Sequence, residues 1–334
     1  MPEYKKQHFV PQLLQHLFSL DSSTIGTYSV RTGNCVMSPI SHTAQKDWYY
    51  QSNESDKTSI EHVYSGIENS IKPVLIRLQN KDYNLTNDEV DLLFIFVVSQ
   101  LMRTPKAANA MGAVLDLCIR QGINVVCEEV YSGLRSMSNL PMQASISIPR
   151  VAEYLSGKGY LFVENNTSQA FLLSDNPVCL FSPVSEIAIE KRIDDRMFVQ
   201  SPFSGYMLFM PLGPSLGIIC YDDDYYDFGA DLVFNAIEED IKKLNDLEVL
   251  NASKIIMYKD GSFNSECIKE ALQFRETEKY KTYQNTIYTP VNKNFSLLGM
   301  KIDENVIIYK INRYAIEKRI EKTLYDLLKQ ETRE

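Results

Sequence analysis

The longest regular hydrophobic pattern in the chain runs from about residue 57 to residue 78. Its apolar residues recur every three or four positions, which predicts one amphipathic helix with a single buried face. They are Ile60, Val63, Tyr64, Ile67, Ile71, Val74, Leu75 and Leu78. A second helix is predicted directly afterwards, because Thr86 and Glu89 have the spacing of a capping box. Its sequence, DEVDLLFIFVVSQLMRT, is apolar on nearly all sides and precedes Pro105, so we expect a central, enclosed helix that ends there.

Residues 158–221 carry a different pattern. Short apolar runs alternate with Asn, Pro, Gly and Asp, and such alternation is typical of an antiparallel sheet. The runs are GYLFVEN, QAFLLSD, PVCLFSP, GYMLFMPLG and SLGIICYD. Near the start of the chain, a short helix is expected after Pro11, and two β-rich runs around Gly33 predict a hairpin.

The rest of the chain predicts further helices and strands. A helix is expected over about 229–251, then a strand at KIIMY and a helix in SECIKEALQF. Two strand-like pieces around 295–311 and a charged helix near 312–330 follow. Helices, then strands, then helices, without regular βαβ alternation, indicate an α+β fold.

We therefore expect an α+β protein in which a helical N-terminal half packs on a mainly antiparallel sheet, with C-terminal helices. No linker rich in Gly, Ser or Pro divides the chain, so residues 1–334 are expected to form a single compact domain. Within it, a mainly helical lobe would span residues 1–157, and a lobe of sheet plus helices would span residues 158–334.

Composition restricts the class of protein more than its activity. The 334 residues are 44% hydrophobic and 23% charged, which is ordinary for a globular protein. The net charge of −9 gives no general attraction for phosphate backbones, so it does not support nucleic acid or a nucleotide as partner, although a local basic cleft would permit one. There is no signal-peptide pattern and no apolar run of about 20 residues, so we expect a cytoplasmic protein with no membrane partner. The six cysteines are far apart, as expected of free thiols in a reducing compartment.

Standard catalytic motifs are missing from the sequence, among them the phosphate loop, Gly-x-Ser-x-Gly and His-Glu-x-x-His. Candidate chemistry therefore has to come from isolated polar residues in apolar surroundings. Glu61 and Glu68 are seven residues apart and share one row of the first long helix. They could act as acid and base or hold a divalent metal. The alternative is structural, with Glu68 paired to Lys72 on the helix surface.

Arg103 lies at the end of the enclosed helix, three residues after Gln100 and on the same face. A guanidinium in that position needs a carboxylate or a phosphate as partner. The candidate structural partners are Glu61, Glu68 and Asp175, and a bound phosphate is the alternative.

Two more polar stretches interrupt apolar sequence. KQHFVPQ, at residues 6–12, places His8 after Gln7 at the start of the chain. In FLLSDNPVCLF, Asp175 and Asn176 occupy a turn between two apolar runs, where such side chains commonly cap the backbone. Capping leaves the alternative that the carboxylate of Asp175 faces a cleft.

Seven stretches carry a family resemblance when they are taken in order. They are KKQHFVPQLLQHLFS, KDWYY, IEHVYSGIENSIKPVL, LTNDEVDLLFIFVVSQLMRTP, FLLSDNPVCLF, FMPLGPSLGIIC and LNDLEVLNASKIIMYK. Over about residues 5–260, the sequence resembles the bacterial domain-of-unknown-function family 4238. It departs from that pattern at Leu13-Leu14-Gln15, where aromatic residues are usual, and at Gly213, where serine is more frequent.

The resemblance implies no particular activity, but it selects a set of polar positions that occur together. They are His8, Glu61, Glu68, Arg103, Asp175 and Asn176. Polar groups inside an apolar body must bind each other or a ligand. We therefore expect His8, held by Pro11 and the helix after it, to face this set.

One hypothesis is a hydrolase or nuclease that acts on a nucleic acid or nucleotide. His8 would be the general acid or base, and Arg103 would hold a phosphate or oxyanion. Glu68 or Asp175 would orient His8 or bind a divalent metal. The supporting residues would be Gln7, Glu61, Gln100 and Asn176.

The other hypothesis is a non-enzymatic binding or interaction module. The same residues would then form a buried structural network that locks the N-terminal segment onto the helices. The aromatic surface would meet a partner, and a homo-oligomer is one form that such a module could take. Composition favours neither hypothesis, but an N-terminal histidine placed near an arginine and several carboxylates is costly to keep without a use, which favours the enzyme over the module.

Overall fold

Short strands lie before and after two long helices along the chain. The computed structural model describes residues 6–50, 60–109, 145, 148–155, 158–181, 207–223, 226, 228 and 232–276. The α-helices in these ranges are α1 (Gln12–Leu17), α2 (Glu61–Gln79), α3 (Asn87–Met102), α4 (Ile148–Leu155), α5 (Glu238–Asn251) and α6 (Lys269–Arg275). The strands are β1 (Lys6–His8), β2 (Thr24–Ser29), β3 (Cys35–Pro39), β4 (Gln45–Asp47), β5 (Gly159–Asn165), β6 (Leu173–Ser174), β7 (Cys179–Phe181), β8 (Met207–Gly213), β9 (Leu216–Tyr221), β10 (Val233–Ala236) and β11 (Ile255–Tyr258). Single turns of 3-10 helix lie at Ile40–His42 and Ser265–Ile268.

The two long helices form where the sequence predicts them. The capping box of α3 is confirmed, because the Thr86 hydroxyl accepts from the Glu89 N–H at 3.3 Å and the Glu89 carboxylate accepts from the Thr86 N–H at 2.9 Å. The helix is buried through its middle and ends three residues before Pro105. On α2, the side chain of Val63 is 57% exposed, so the first turn of that helix lies further from the core than its hydrophobic pattern predicts.

Thr86→Ala is expected to lower the free energy of unfolding by about 1 kcal/mol, because it removes the acceptor for one unpaired N–H at the start of α3. Urea unfolding measures the change. Ser70→Ala, on the exposed face of α2, is the matched control and should leave the midpoint unchanged. Equal midpoints for Thr86→Ala and the wild type would show that the capping box adds nothing to stability.

Two larger sheets and a small two-stranded sheet form the β part of the described chain. The five-stranded sheet has the order β10-β5-β9-β8-β7, and only the pairing of β10 with β5 is parallel. The four-stranded sheet has the order β3-β2-β11-β6 and is antiparallel throughout. The predicted hairpin joins β2 to β3, with Gly33 at a φ of +71° that favours glycine. Strands β1 and β4 pair antiparallel.

The α+β class is confirmed, but two details of the expected elements are wrong, one in the sheet and one at the start of a helix. The run QAFLLSD does not join the other apolar runs, because its residues Leu173 and Ser174 pair with β11 in the four-stranded sheet. The helix expected from about residue 229 starts only at Glu238, since Val233–Ala236 pair with β5 as a strand. Both errors concern pairing between distant segments, which the local pattern does not record.

The larger apolar core contains buried residues of the helices α1 to α5 and of the five-stranded sheet, and a smaller one joins β2 and β11 to the end of α5 and to α6. Strand β2, near the start of the chain, pairs with β11, near residue 257. Segments from both of the expected lobes therefore share one sheet. The strands and helix expected between residues 295 and 330 lie outside the described residues.

Candidate functional site

The N-terminal strand β1 is held by a buried glutamine. Gln7 is 0% exposed, and its Oε1 accepts from the backbone N–H of Tyr50 at 2.6 Å. His8, the next residue, is half-buried, and its ring Nε2 lies 3.3 Å from Nε2 of Gln12 in α1. Strand β1 is thus joined to the segment after β4 and to the helix that follows it. This explains why a polar stretch at the start of the chain is ordered.

Arg103, at the C-terminal end of α3, is the centre of the site. Its guanidinium donates through Nη1 to Glu68 Oε1 at 2.7 Å, through Nε to the Tyr50 hydroxyl at 3.2 Å, and through Nη2 to the backbone carbonyl of His8. The guanidinium carbon also lies 4.1 Å from the ring centroid of Tyr64, a cation–π contact. The side chain is only 1% exposed, so this is an enclosed positive charge with partners on several sides.

We call Gln7, His8, Tyr50, Glu61, Tyr64, Glu68 and Arg103 the Arg103 cluster. The structure brings together four of the residues selected from the sequence, namely His8, Glu61, Glu68 and Arg103. Glu61 interacts electrostatically with Arg103, Glu68 bonds to it through its carboxylate, and His8 bonds to it through its backbone carbonyl. Gln100, one turn before Arg103 on α3, is fully buried, and its Nε2 donates to the Ser99 hydroxyl at 3.0 Å.

The two carboxylates of the cluster have different surroundings. Burial raises the pKa of Glu61 to about 7, with the Arg103 charge opposing the shift and the Glu68 charge adding to it. Glu68 is paired with Arg103 and keeps 24% of its side chain exposed. A proton acceptor with a pKa near neutral pH therefore lies beside an ion pair, an arrangement that enzymes use for general acid–base chemistry.

His8 is neutral at pH 7 in this setting. Burial lowers its pKa to about 4, with a hydrogen bond to the Ile40 backbone opposing the shift and the Arg103 charge adding to it. A group that holds its proton only below that pH is a weak base at neutral pH. The proton-transfer role expected of His8 fits Glu61 better.

Asp175 and Asn176 belong to a second polar cluster. The Asp175 carboxylate accepts from the backbone N–H of Ser253 at 2.7 Å and of Lys254 at 2.9 Å, so it caps the connection between α5 and β11. Asn176 Nδ2 donates to the carbonyl of Asn251 at 3.0 Å and to the hydroxyl of Ser253 at 2.9 Å. These bonds are structural, but they join the turn to a segment 75 to 79 residues further along the chain, whereas the capping alternative expected bonds within the turn itself. Among the described residues, Asp175 makes no hydrogen bond to Arg103, so the structure does not show the single expected set.

A buried carboxylate completes this second cluster, and the sequence analysis missed it. Glu248 Oε2 accepts from the Ser174 N–H at 2.8 Å, and the Cys179 thiol donates to Glu248 Oε1 at 3.3 Å. Glu248 follows Ile241 by seven residues, so the two lie on the same buried face of α5. A glutamate on the apolar face of a helix was the signal that the sequence offered. The chain between Arg103 and Lys106 links the two clusters, because the Lys106 N–H donates to Asn176 Oδ1 at 3.4 Å.

Tyr50 and Tyr64 are the site residues that sequence reasoning assigned to other roles. The hydrophobic pattern places Tyr64 in the buried stripe of α2, and Tyr50 occurs only within the family motif KDWYY. The rings of Tyr50 and Tyr64 lie 5.1 Å apart, and the Tyr64 hydroxyl bonds to the hydroxyl of Ser145. The available signal was Arg103 itself, because a guanidinium at the end of an enclosed helix can pack on the faces of aromatic rings.

The described residues contain neither a metal-binding cluster nor a membrane-spanning helix. No group of three or more His, Cys, Asp or Glu side chains in those ranges is placed to hold a metal ion. Within the same ranges, every helix is too short or too polar to cross a membrane.

The chain matches a known protein-family model. The family described as "Protein of unknown function (DUF4238)" matches residues 6–262. The matched range contains every residue of both polar clusters and confirms the resemblance found in the sequence. No match was found among curated proteins or among solved structures.

Proposed function

For this chain, which belongs to the DUF4238 family, we propose that the Arg103 cluster is the active site of a hydrolase or nuclease acting on a nucleotide or nucleic acid. The observation that carries the proposal is the pair of carboxylates on α2, one with a pKa of about 7 and one in an ion pair with a buried arginine.

Glu61 is the proposed general base. A pKa of about 7 leaves a large fraction of the carboxylate free to accept a proton at neutral pH, while its conjugate acid is still strong enough to return one. Glu61 and Glu68 both retain partial exposure, although Oε2 of Glu61 is itself buried.

Arg103 is a positioning residue in this proposal. Its side chain is enclosed and bonded to Glu68, Tyr50 and the His8 carbonyl, so it acts on the substrate through its charge and through the groups that it holds. The Glu68 carboxylate balances the Arg103 charge, so the site has no excess positive charge, and the choice of a phosphoester as substrate is the part of the proposal that the assay below decides.

Glu61→Gln is expected to lower kcat/KM for phosphoester hydrolysis at least about 100-fold, because glutamine has the shape of glutamate but accepts no proton. The assay is cleavage of single-stranded RNA and DNA oligonucleotides and of nucleoside phosphates. In the wild type, kcat/KM should rise with pH to a plateau above pH 7, where Glu61 is ionised. Glu266→Gln, on an exposed carboxylate, is the control. Equal rates for Glu61→Gln and the wild type would exclude Glu61 as the base.

A second candidate, a non-enzymatic binding or interaction module, is favoured by a different observation. All three nitrogens of the Arg103 guanidinium donate to acceptors of the protein itself, one of them the His8 backbone carbonyl. A network of this kind locks β1 onto the helices without any ligand. For such a module, purified wild type and Glu61→Gln would show the same absence of hydrolysis on every substrate of the panel.

We also propose that the protein works in the cytoplasm. The cysteines that the structure describes, Cys35, Cys179, Cys220 and Cys267, are free thiols. Cys35 and Cys267 are exposed, and exposed thiols stay reduced in a reducing compartment. Fractionation of cells that express a tagged chain measures the location directly.

A further inference from the structure

Strand β3 forms an edge of the four-stranded sheet that carries no protecting charge. Within the part of the chain that the structure describes, Cys35–Pro39 pairs with β2 on one side and with no strand on the other. The backbone N–H and C=O groups of such an edge are a template for another strand. Proteins commonly protect these edges with lysine or other charges, but the sequence from Thr32 to Ser41 contains no Asp, Glu, Lys or Arg.

Apolar side chains of β3 are exposed on both faces of the sheet. Val36 is 55% exposed and Met37 is 45% exposed, and consecutive residues of a strand point to opposite faces. A partner that docked on one face of the sheet would cover only one of these side chains. A strand that pairs along the edge lies beside both, so the exposure fits the addition of a strand.

The pairing with β2 determines which backbone groups of β3 point away from the sheet. In an antiparallel pair, residues that bond to the partner strand alternate with residues whose N–H and C=O groups point outward. At the hairpin, the Ser29 N–H donates to the Asn34 C=O at 2.9 Å, so Asn34 and every second residue after it face β2. The outward groups are therefore the N–H and C=O of Cys35 and Met37, together with the C=O of Pro39, which has no N–H.

This set of outward groups is complementary to a second copy of itself. When two β3 strands pair antiparallel about a two-fold axis at Met37, the Met37 residues lie opposite each other, and Cys35 of each copy lies opposite Pro39 of the other. The Met37 residues then exchange their N–H···O=C bonds, and each Cys35 N–H donates to a Pro39 C=O. Every outward N–H of β3 has an acceptor in this register, and the missing N–H of Pro39 leaves no donor unpaired.

The charges at the two ends of β3 also match such a pair. Exposed Arg31 lies in the hairpin loop before Cys35, and exposed Asp21 accepts from the backbone N–H of Thr24, the residue opposite Pro39 on β2. Antiparallel pairing places the positive end of one copy beside the negative end of the other. This complementarity favours the association of two like chains.

We propose that β3 is a dimer interface, at which two copies of this chain join their four-stranded sheets into one continuous sheet. The paired strands are short, so the dimer is weak and reversible. The dimer does not depend on the proposed hydrolase, because none of the residues of β3 belongs to the Arg103 cluster.

Sedimentation velocity of the full chain, from micromolar to submillimolar concentration, tests the proposal. The wild type should change from monomer to dimer over this series without any added ligand. Hydrogen exchange at the Cys35 and Met37 amides should slow in parallel, because these N–H groups become bonded in the dimer. A wild type that stays monomeric, or whose Cys35 and Met37 amides exchange equally fast at every concentration, overturns the proposal.

Charge substitutions at the two-fold axis locate the interface. Met37→Lys and Met37→Glu each place two like charges opposite each other, so each should weaken the dimer at least about tenfold. An equimolar mixture of the two variants should recover the dimer, because opposite charges then face each other across the axis. Ile76→Lys, at a 51% exposed position of α2, is the matched control and should dimerise like the wild type.

The mixture distinguishes self-pairing of β3 from other modes of association. Recovery of the dimer only in the mixture requires residue 37 of one copy to face residue 37 of the other, as the two-fold register predicts. Dimers that persist in both Met37 variants, or a mixture that stays monomeric, would show that the chains do not pair through β3 about this axis.

Discussion

Arg103→Met is expected to lower the free energy of unfolding by about 3 kcal/mol, a loss typical of an enclosed ion pair that loses one partner. Methionine fills a similar volume but leaves the Glu68 carboxylate, the Tyr50 hydroxyl and the His8 carbonyl without their donor. Because Glu68 keeps 24% of its side chain exposed, water can solvate it in part, and the loss should fall at the lower end of the range for buried pairs.

The structural consequence should be local to the N-terminal strand. Hydrogen exchange at the backbone amides of β1 and β4 should accelerate more than exchange in β8 and β9, because Arg103 joins the His8 carbonyl to the end of α3. Arg103→Lys should not restore the stability, since a single ammonium group cannot reproduce the three directions in which the guanidinium donates.

Urea unfolding with a matched control measures the effect. Arg77→Met removes another arginine with two carboxylate partners, Asp82 and Glu89, but this one is 37% exposed. Its loss should be much smaller than that of Arg103→Met, because exposed ion pairs contribute little. Equal stabilities for Arg103→Met and the wild type would show that the enclosed network does not hold the N-terminal strand in place.

Glu248→Gln is expected to remove a large part of the pH dependence of stability. Burial raises the pKa of Glu248 to about 8, so between the ordinary pKa of 4.5 and pH 8 the folded protein keeps a proton that the unfolded chain releases. The stability from this group is complete below pH 4.5 and is lost as pH rises through 8. At about 1.4 kcal/mol per pH unit, the loss over this window is roughly 4 to 5 kcal/mol.

The glutamine variant has no proton to lose. Its side-chain oxygen can still accept from the Ser174 N–H, so the shape of the cluster is preserved. The two proteins should therefore have similar stability near pH 5, and the variant should be the more stable one by several kcal/mol above pH 8.

The measurement is urea unfolding at intervals from pH 5 to pH 9. The difference between the two curves isolates Glu248 from its neighbour Lys106, whose own pKa is lowered by burial. Glu270→Gln, on a largely exposed carboxylate, should reproduce the wild-type curve. Parallel curves for Glu248→Gln and the wild type would mean that Glu248 is ionised in the folded protein at every pH of the series.

Part of the candidate site could be predicted from the sequence, for a simple reason. Glu61 and Glu68 are seven residues apart on one helix, and Arg103 ends another that is apolar on nearly all sides. Those statements depend only on helical geometry and on the cost of burying a charge. The choice of Glu68 as the bonded partner of Arg103, with Glu61 left at a raised pKa, depends on how α2 lies against α3, and no local pattern contains that information.

The wrong expectations arise in the same way, because they concern contacts between distant segments and not local geometry. Asp175 and Asn176 were grouped with Arg103 because the family resemblance selects them as polar positions that occur together. In the structure, Asp175 caps the connection before β11, because β6 and β11 are neighbours in the four-stranded sheet. The assignment of β6 to that sheet, and of β10 to a parallel pairing, joins segments that are far apart in the chain.

The sequence by itself determined the features that one stretch of chain can form alone. These are the two long helices, the capping box at Thr86, the hairpin at Gly33, the α+β class and the family. Each follows from hydrophobic periodicity, from a side chain that bonds the backbone within a few residues, or from an ordered set of motifs. Only the tertiary structure decided that Tyr50 and Tyr64 enclose Arg103, that Glu61 has a pKa near 7, and that Glu248 lies beneath β6 and β7. Those properties arise from burial and from distances between remote segments, which exist only once the chain has folded.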